Sequence, residues 1–356
     1  MIKRWLIIVL VAAGSMLLPA VSRGQQTTPP IAELAFGTST EGRAITGTRI
    51  GTGPHKLFIV ANTHGGPEAN TYALALALQA YFRANPAAVP PPVSLYIIPT
   101  VNPDGLSINT RFNSRSVDLN RNMDTNFDAC PENDWNHTVE GAYGYVSDTG
   151  GPFVESEVES QVVRDLVLDA AGVVWLHSSG GDVFPAFCEH APSIALAQAY
   201  AQASGYRYDR FWGQYNITGG MHDWAGALGI ASITPELASG SEPEVEQNLA
   251  AVLAILADYE RLLPIQPSTT EPTSGIEMPT LLWRYWRAHG GPDWFGAPIS
   301  PVVVVNGRPT LYFATQHLIL NPEGADGLQP VLRVEGGLAL WTQHLLDAPT
   351  ANYQLR

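Results

Sequence analysis

The 356-residue chain is poor in cysteine and in basic residues. The first shortage excludes one kind of metal site, and the second excludes polyanionic binding partners. Its two cysteines, Cys130 and Cys188, are too few and too far apart for a cysteine-based zinc site. One disulfide between them and two buried free thiols both remain open from the sequence. Only 19 Lys and Arg stand against 33 Asp and Glu, for a formal net charge of −14. We therefore expect no nucleic acid and no anionic lipid as partner.

Two common enzyme signatures are also missing. No G-x-S-x-G elbow occurs, which disfavours a serine hydrolase of the α/β-hydrolase type. The glycine fingerprint of dinucleotide-binding folds is absent as well, and with it the usual sequence argument for a nicotinamide enzyme. No internal repeat of fixed period is seen in the part of the chain that carries the candidate chemistry.

The N-terminus has the pattern of an export signal. Lys3 and Arg4 precede an apolar run from Trp5 to Ala20, and the chain then becomes polar. This run is shorter than the ~20 residues of a membrane-spanning helix, and no later stretch is apolar enough to span. We predict a cleaved signal peptide at residues 1–24, with an uncleaved anchor as the alternative. The mature protein is then expected to be secreted or associated with the cell envelope, with no stable membrane span.

After a polar lead-in at residues 25–35, strand-like and helix-like segments alternate through residues 36–263. This alternation predicts an α/β domain with a mainly parallel or mixed sheet. The predicted strands are short apolar or β-branched runs at Leu57–Val60, Val93–Pro99, Val173–Leu176 and Ala231–Thr234. The predicted helices are Glu68–Arg83, Glu155–Ala171, Ile194–Ala203 and Glu242–Leu262.

The composition changes after residue 263. Residues 264–275 are rich in Pro, Ser and Thr, as linkers are. Residues 276–356 spread aromatic side chains among Gly and Pro, which predicts a small, loop-rich accessory module. Its aromatics either fill the core of this module or stack on a ligand such as a sugar, and the first use is the commoner one.

Four strings carry side chains suited to chemistry. His64 and Glu68 follow the first predicted strand, where glycines allow a tight turn and both side chains could reach one metal ion. His177 ends another strand, at the position where open α/β sheets place their ligands. Glu236 ends a third strand between Pro and Leu, where partial burial would tune a general base. Each of these side chains, taken alone, has an ordinary structural explanation.

The fourth string is the turn Asn102-Pro103-Asp104-Gly105, followed by Arg111 and by the block Val117 to Asn122. Arginines in such a loop region can clamp a carboxylate or stabilise an oxyanion. Arginines also commonly lie on a protein surface without a specific role. This string therefore indicates a functional site only when it is taken together with the other three.

In this order the strings resemble the zinc metallocarboxypeptidases, the carboxypeptidase A-like (funnelin) family, over about 200 residues. Further blocks carry the likeness: the opening Gly37-Thr38-Ser39-Thr40-Glu41-Gly42-Arg43, Ser156-Glu157-Val158-Glu159, Tyr215 before Gly219-Gly220, Asp223-Trp224, and the Pro-Glu-Leu around Glu236. The resemblance implies a mixed central sheet with helices on both faces. The C-terminal module more loosely resembles a bacterial envelope-associated repeat, through Gly290-Gly291, the run Trp294 to Ile299, and Tyr312-Phe313.

The resemblance also implies a role for each matching residue. His64, Glu68 and His177 would bind one zinc ion, the two-His-one-Glu set of carboxypeptidase A. Glu236 would be the general base that acts on a water. The usual ligand spacing of the family is H-x-x-E, whereas this chain has H-x-x-x-E. The ligand loop must therefore bulge by one residue, or zinc binding weakens.

Substrate-binding roles follow in the same way. Arg111 would stabilise the oxyanion, Asn120 and Arg121 would hold the terminal carboxylate of the peptide, and Tyr215 would close over it. His222, just before Asp223-Trp224, would line the pocket for the C-terminal side chain. The family more often has apolar or acidic residues there, and a histidine could favour an acidic or polar C-terminal residue.

The expected activity is removal of C-terminal amino acids from peptides with a free C-terminus. Three alternatives stay open: a peptidoglycan-peptide hydrolase that cuts near diaminopimelate, an N-acyl amino acid deacylase, and a non-catalytic envelope-binding protein. The signal peptide and the module favour the first of these, and cell-wall peptide or glycan is a further candidate partner for the module. The Asn120-Arg121 pair favours ordinary peptides, and the Tyr215 spacing argues against the deacylase.

Overall fold

The structure is a computed structural model that describes residues 28–141, 145–321 and 330–347. The predicted signal peptide and the first three residues of the polar lead-in, 25–27, lie outside these ranges. Within them, no helix combines the length and the apolar character needed to cross a bilayer.

The described residues form strands and helices in alternation. The strands are β1 (Ile31–Thr38), β2 (Ala44–Ile50), β3 (His55–Ala61), β4 (Val93–Ile98), β5 (Val139–Gly141), β6 (Tyr145–Ser147), β7 (Gly172–Ser178), β8 (Asp182–Pro185), β9 (Arg207–Tyr208), β10 (Ala231–Leu237), β11 (Ser268–Thr270), β12 (Glu277–Pro279), β13 (Val303–Val305), β14 (Arg308–Tyr312), β15 (Gln316–Leu320) and β16 (Val331–Glu335). The helices are α1 (Ala69–Ala84), α2 (Pro103–Ser107), α3 (Val158–Val167), α4 (Ala191–Ser204), α5 (Met221–Ala227), α6 (Val245–Ala257), α7 (Tyr259–Leu262), α8 (Thr280–Ala288), α9 (Gly291–Phe295) and α10 (Gly337–Asp347).

Eight strands form one mixed sheet in the order β1-β2-β4-β3-β7-β10-β8-β9. The central strands β4, β3, β7 and β10 are parallel to one another, whereas β2 joins β4, and β8 joins β10, in antiparallel pairs. The mixed sheet predicted from the sequence is therefore confirmed. Because the carboxyl ends of parallel strands meet at one edge, the residues that end β3, β7 and β10 lie side by side.

Helices cover both faces of this sheet. On one face α1, α4 and α6 bury side chains such as Leu78, Leu196 and Ile255 against the sheet. On the other face α3 and α5 bury Val163 and Trp224. The central strands are enclosed on both sides, which explains why their sequences are nearly continuous apolar runs. The four predicted strands correspond to β3, β4, β7 and β10.

Two predicted helices are shorter than expected. The helix predicted to start at Glu155 begins at Val158, because Glu155 has a positive φ of 52° and its N–H is bonded to the carbonyl of Asn122. The helix predicted over Glu242–Leu262 is split into α6 and α7 by Asp258, which has a φ of −122° and a ψ of 34°. An apolar periodic pattern does not reveal such local departures from helical geometry.

The C-terminal module contains an antiparallel sheet in the order β13-β14-β15-β16. Trp286, Phe295 and Phe313 fill a core beside it, so these aromatics pack the interior of the module, the commoner of the two roles expected from the sequence. Trp294, in contrast, is 66% exposed. β11, in the predicted linker, pairs in an antiparallel ladder with β12, at the start of the predicted module. The domain boundaries themselves remain a prediction.

Candidate active site

The loop after β3 brings His64 and Glu68 together despite the extra residue between them. Gly65 has a positive φ of 47°, and Gly66–Glu68 form one turn of 3₁₀ helix. A Cβ on Gly65 would lie 2.2 Å from the carbonyl oxygen of Thr110, so only glycine fits this turn. His64 Nδ1 lies 2.6 Å from Glu68 Oε1. The bulge that the H-x-x-x-E spacing demanded is therefore present, and Glu68 is not displaced.

His177 joins this pair from the end of β7. Its Nδ1 lies 3.1 Å from His64 Nδ1 and 3.0 Å from Glu68 Oε2. All three side chains are buried, and one ligand atom from each lies within 4.8 Å of the others. The three residues predicted as metal ligands, from two separate strings, thus form one cluster.

The donor set of this cluster fits zinc. Ligand atoms bound at 2.0–2.1 Å to one tetrahedral ion lie about 3.3 Å apart, close to the separations seen here. His64 Nε2 lies 3.1 Å from Asp118 Oδ1, an acceptor, so a hydrogen belongs on Nε2 and the Nδ1 lone pair faces Glu68. Lone pairs and a carboxylate that converge in a buried space repel each other unless a cation lies between them.

The pKa values of Glu68 and His177 reflect how close these ionisable side chains lie to one another. Burial opposes ionisation of Glu68, but His64 and His177, when protonated, outweigh it and hold its pKa well below the usual range. Burial likewise lowers the pKa of His177, but Glu68 more than compensates, and the net direction is upward. A carboxylate that stays ionised over the whole physiological range is what a metal ligand must be.

Asp118 connects the cluster to the nearest arginine. Its Oδ1 accepts from His64 Nε2, and its Oδ2 accepts from Arg111 Nε at 2.9 Å. Arg111 Nη1 lies 4.0 Å from Glu68 Oε1, so the guanidinium lies next to the cluster of predicted metal ligands. Asp118 was not singled out from the sequence, although it lies inside the block Val117 to Asn122 that carried part of the resemblance.

The remaining motifs of the resemblance hold this loop region in place. Asp104, from the Asn-Pro-Asp-Gly turn, accepts from Ser39 Oγ at 2.6 Å and pairs with Arg43 at 2.7 Å, both in the opening motif. Asn113 donates to Glu157 Oε2 at 2.7 Å. These bonds fix the two ends of the segment that carries Arg111.

Glu236 stands at the same edge of the sheet. It is the register partner of His177 in the parallel pair of β10 with β7. Burial raises the pKa of Glu236 to about 7, against the opposing effect of His177. A carboxyl whose pKa lies near neutrality can accept a proton and return it, which suits acid–base catalysis.

The residues predicted to bind substrate lie next to this group. Asn120 Oδ1 accepts from the N–H of Met221 at 2.9 Å. Arg121 is 2% exposed, and Tyr215 places its ring 5.8 Å from the guanidinium carbon. In the described part of the chain Arg121 forms no ion pair within 4.0 Å, and its Nε has no hydrogen-bond partner. A buried cation without a counterion is a strong site for a carboxylate.

A pocket with an empty volume of about 660 Å³ opens between Glu236, Asn120 and Tyr215. Five aromatic side chains form part of its walls: Phe184, Phe187, Phe211, Trp212 and Tyr215. His222 and Asp223 also line it, and His222 Nε2 lies 3.2 Å from Asp223 Oδ1. Burial lowers the pKa of His222, so its ring is neutral near pH 7. Apart from Tyr215, the aromatic residues of the pocket were not predicted from the sequence. They lie at a strand end and in loops, and no motif marks them.

Cys130 and Cys188 form a disulfide between two loops at this pocket. Glu132 and Asn133 follow the first cysteine, Phe187 precedes the second, and all three line the pocket. The question that the sequence left open is answered in favour of pairing.

Comparison with known proteins gives a family match over part of the chain. Residues 21–185, less than half of the 356 residues, match the zinc carboxypeptidase model of the peptidase M14 family. No curated protein matches the chain by sequence. The matched span contains His64, Glu68, Arg111, Asn120, Arg121 and His177. This span is similar to the zinc carboxypeptidases, a family of zinc-dependent hydrolases.

Solved structures give the same fold. Bovine thrombin-activatable fibrinolysis inhibitor, solved in complex with tick carboxypeptidase inhibitor, aligns at 20% identity with a TM-score of 0.52, over 65% of this chain and 89% of that one. Carboxypeptidase A from Helicoverpa armigera aligns at 21% identity with a TM-score of 0.51, over 65% of this chain and 68% of that one. These similarities support the carboxypeptidase-like α/β architecture. They do not extend over the whole chain.

Proposed function

We propose that this chain is a carboxypeptidase that hydrolyses the C-terminal peptide bond of peptides, with one zinc ion held by His64, Glu68 and His177. The observation that carries the proposal is the meeting of these three side chains with Glu236 and Arg111 beside an aromatic pocket. Each group has a defined place in peptide hydrolysis.

Recognition of the substrate rests on Arg121 and Asn120. The guanidinium of Arg121 supplies the counterion for the terminal carboxylate, and the neighbouring Asn120 lines the pocket. Tyr215 packs over Arg121 and covers the bound residue. A buried, unpaired cation binds an α-carboxylate far better than a neutral chain end, which makes the activity an exopeptidase one.

Hydrolysis needs a base, an acid and a stabilised oxyanion. Zinc, when bound, polarises the scissile carbonyl and makes a neighbouring water more acidic. Glu236 takes a proton from the attacking water and delivers it to the departing amine. Arg111, held by Asp118, donates to the oxyanion that forms as the carbonyl is attacked.

The pocket supports a preference for a large, uncharged C-terminal side chain. Its walls include five aromatic side chains, His222 is neutral, and Arg210 is already paired with Glu189. An acidic side chain would therefore find no unpaired cation among the lining residues, and it would approach the carboxylates of Glu132 and Asp223. We accordingly favour aromatic or bulky aliphatic residues over the acidic or polar ones that His222 suggested in the sequence.

The test compares wild type with Glu236→Gln on blocked dipeptides, muropeptides and N-acyl amino acids. The exposed Glu246→Gln serves as the matched control. Loss of the base should reduce the release of C-terminal residues by about 100-fold or more, with the bound zinc unchanged. Cleavage of muropeptides alone would replace the proposal with the peptidoglycan-peptide activity, and cleavage of acyl amino acids alone with the deacylase. Zinc binding without any cleavage would favour a binding protein.

A further inference from the structure

One buried arginine of the C-terminal module forms hydrogen bonds with the catalytic domain. Arg284, in α8, is 6% exposed and donates to the carbonyl oxygens of Leu168 and Ala170, which follow α3. It also donates to Leu228 and Gly229, which follow α5. Carbonyls at helix ends lack intrahelical partners, so this single guanidinium satisfies two helix termini of the other domain. Ala288 at the end of α8 lies within the core that α3 and α5 share.

The next turn of α8 reaches a loop of the catalytic domain. The guanidinium carbon of Arg287 lies 5.5 Å from the centroid of the Phe127 ring, within cation–π range. The same carbon lies 5.5 Å from the ring of Trp286, in the core of the module. Arg287 therefore lies between an aromatic ring of each domain.

The loop that contains Phe127 leads into the substrate pocket. Thr125 Oγ1 donates to the carbonyl oxygen of Asn133 at 2.6 Å, which closes the loop on itself. Glu132 and Asn133 line the pocket, and Cys130 ties the loop to Cys188.

This loop is also bonded to the segment that carries Tyr215. The N–H of Met123 donates to the carbonyl oxygen of Gly219 at 3.1 Å, and the N–H of Gly219 donates to that of Asn133 at 3.0 Å. Phe127 therefore lies in a loop that is bonded to two walls of the pocket.

We propose that the C-terminal module acts in catalysis by positioning the substrate loop, residues 123–133, through the contact of Arg287 with Phe127. This inference rests on the proposed function, because the pocket it shapes is the pocket for the C-terminal residue. Arg287 is a positioning residue: it touches neither the zinc ligands nor the pocket itself. The module is then an integral part of the peptidase, in addition to any ligand of its own.

The test measures kinetics and hydrogen exchange in the full-length, zinc-loaded protein. Arg287→Met keeps most of the aliphatic stem but removes the charge and the planar fork. We expect KM for a dipeptide with C-terminal Phe to rise about three- to tenfold, with kcat and zinc content unchanged. Amide exchange should accelerate in residues 123–133 and remain as in wild type in α1 and β7. Arg287→Lys, which retains a cation, should restore part of the wild-type KM.

Two further variants separate positioning from general stability. Phe127→Leu removes the partner ring, and its effect on KM should not add to that of Arg287→Met, because both remove one contact. Arg308→Met, also in the module but outside the contact, should behave as wild type. An unchanged KM and unchanged exchange in Arg287→Met would overturn the proposal, as would a uniform loss of kcat and zinc. If wild type cleaves no peptide, the proposed function fails, and the exchange data alone still decide whether Arg287 orders the loop.

Discussion

The carboxylate of Asp118 bonds His64 with one oxygen and Arg111 with the other, at 3.1 and 2.9 Å. One side chain thus fixes the ring orientation of a proposed zinc ligand and the position of the proposed oxyanion donor. Asp118 is held in turn, because its Oδ1 also accepts from the N–H of Asn120 at 3.0 Å. Its pKa lies well below the usual range, since Arg111 and His64 outweigh the opposing effect of burial.

Replacing Asp118 by Asn should therefore weaken zinc binding and catalysis together. The amide can present an oxygen to only one of the two donors, and it removes a negative charge that favours His64 as a ligand. Loss of such a supporting carboxylate costs about 10- to 100-fold in metal affinity. Competition titration with a chelator measures the affinity, and kcat at saturating zinc measures the effect on Arg111. Zinc affinity equal to that of the Glu246→Gln control would contradict this role for Asp118.

The aromatic pocket predicts which substrates are cleaved best. Trp212 lies edge-to-face with Phe184 and Tyr215, with ring centroids 5.6 Å apart in both pairs. Trp212→Ala removes one wall and should lower kcat/KM for C-terminal Phe about 10-fold or more. A substrate with C-terminal Ala does not reach this wall and should lose much less.

The conservative variant provides the control. Trp212→Phe keeps a ring in the wall and should retain most of the activity of wild type. Equal losses for the Phe and Ala substrates in Trp212→Ala would mean that the pocket does not receive the C-terminal side chain. A wild-type preference for C-terminal Glu over Phe would contradict the neutral pocket directly.

Much of this site could be predicted from the sequence, because its chemistry lies at strand ends. His64, His177 and Glu236 each follow or end an apolar run, and parallel strands bring such positions to one edge. The order of the motifs then distinguished the predicted ligands from ordinary loop residues. A single histidine in the sequence would not have allowed this distinction.

What the sequence did not reveal depends on contacts between distant segments. Arg284 donates to residues at sequence separations of 55 to 116, and nothing in α8 itself distinguishes this arginine from a surface one. The pocket wall formed by Phe184 and Trp212 has the same origin, since each residue alone looks like an ordinary apolar side chain. Such contacts follow from the packing of complete elements, which no local pattern encodes.

The disulfide gives a prediction for stability and for substrate binding. Cys130 and Cys188 are 58 residues apart, and a loop of this size restricts the unfolded chain appreciably. The double variant Cys130→Ser, Cys188→Ser should lose about 2–4 kcal/mol of the free energy of unfolding. Because both loops line the pocket, KM should also rise. Denaturant titration and kinetics measure the two effects, and wild type under reducing conditions should behave like the variant. A variant as stable as oxidised wild type would contradict the prediction.

His190 predicts how stability depends on pH. Burial, with a smaller contribution from Arg284, lowers the pKa of His190 to about 4, whereas an unfolded histidine titrates near 6.5. As the pH falls below 6.5, the unfolded chain binds a proton that the folded protein does not, so the folded state loses stability until the pH reaches about 4. Between pH 7 and pH 5, wild type should lose about 1–2 kcal/mol more than His190→Asn, which cannot titrate and suits the N-cap position of α4, where the His190 side chain makes no capping hydrogen bond. Denaturant titrations at both pH values measure this difference, and the exposed His137→Asn should retain the slope of wild type. If wild type and His190→Asn lose stability in parallel, His190 is not held neutral in the folded protein.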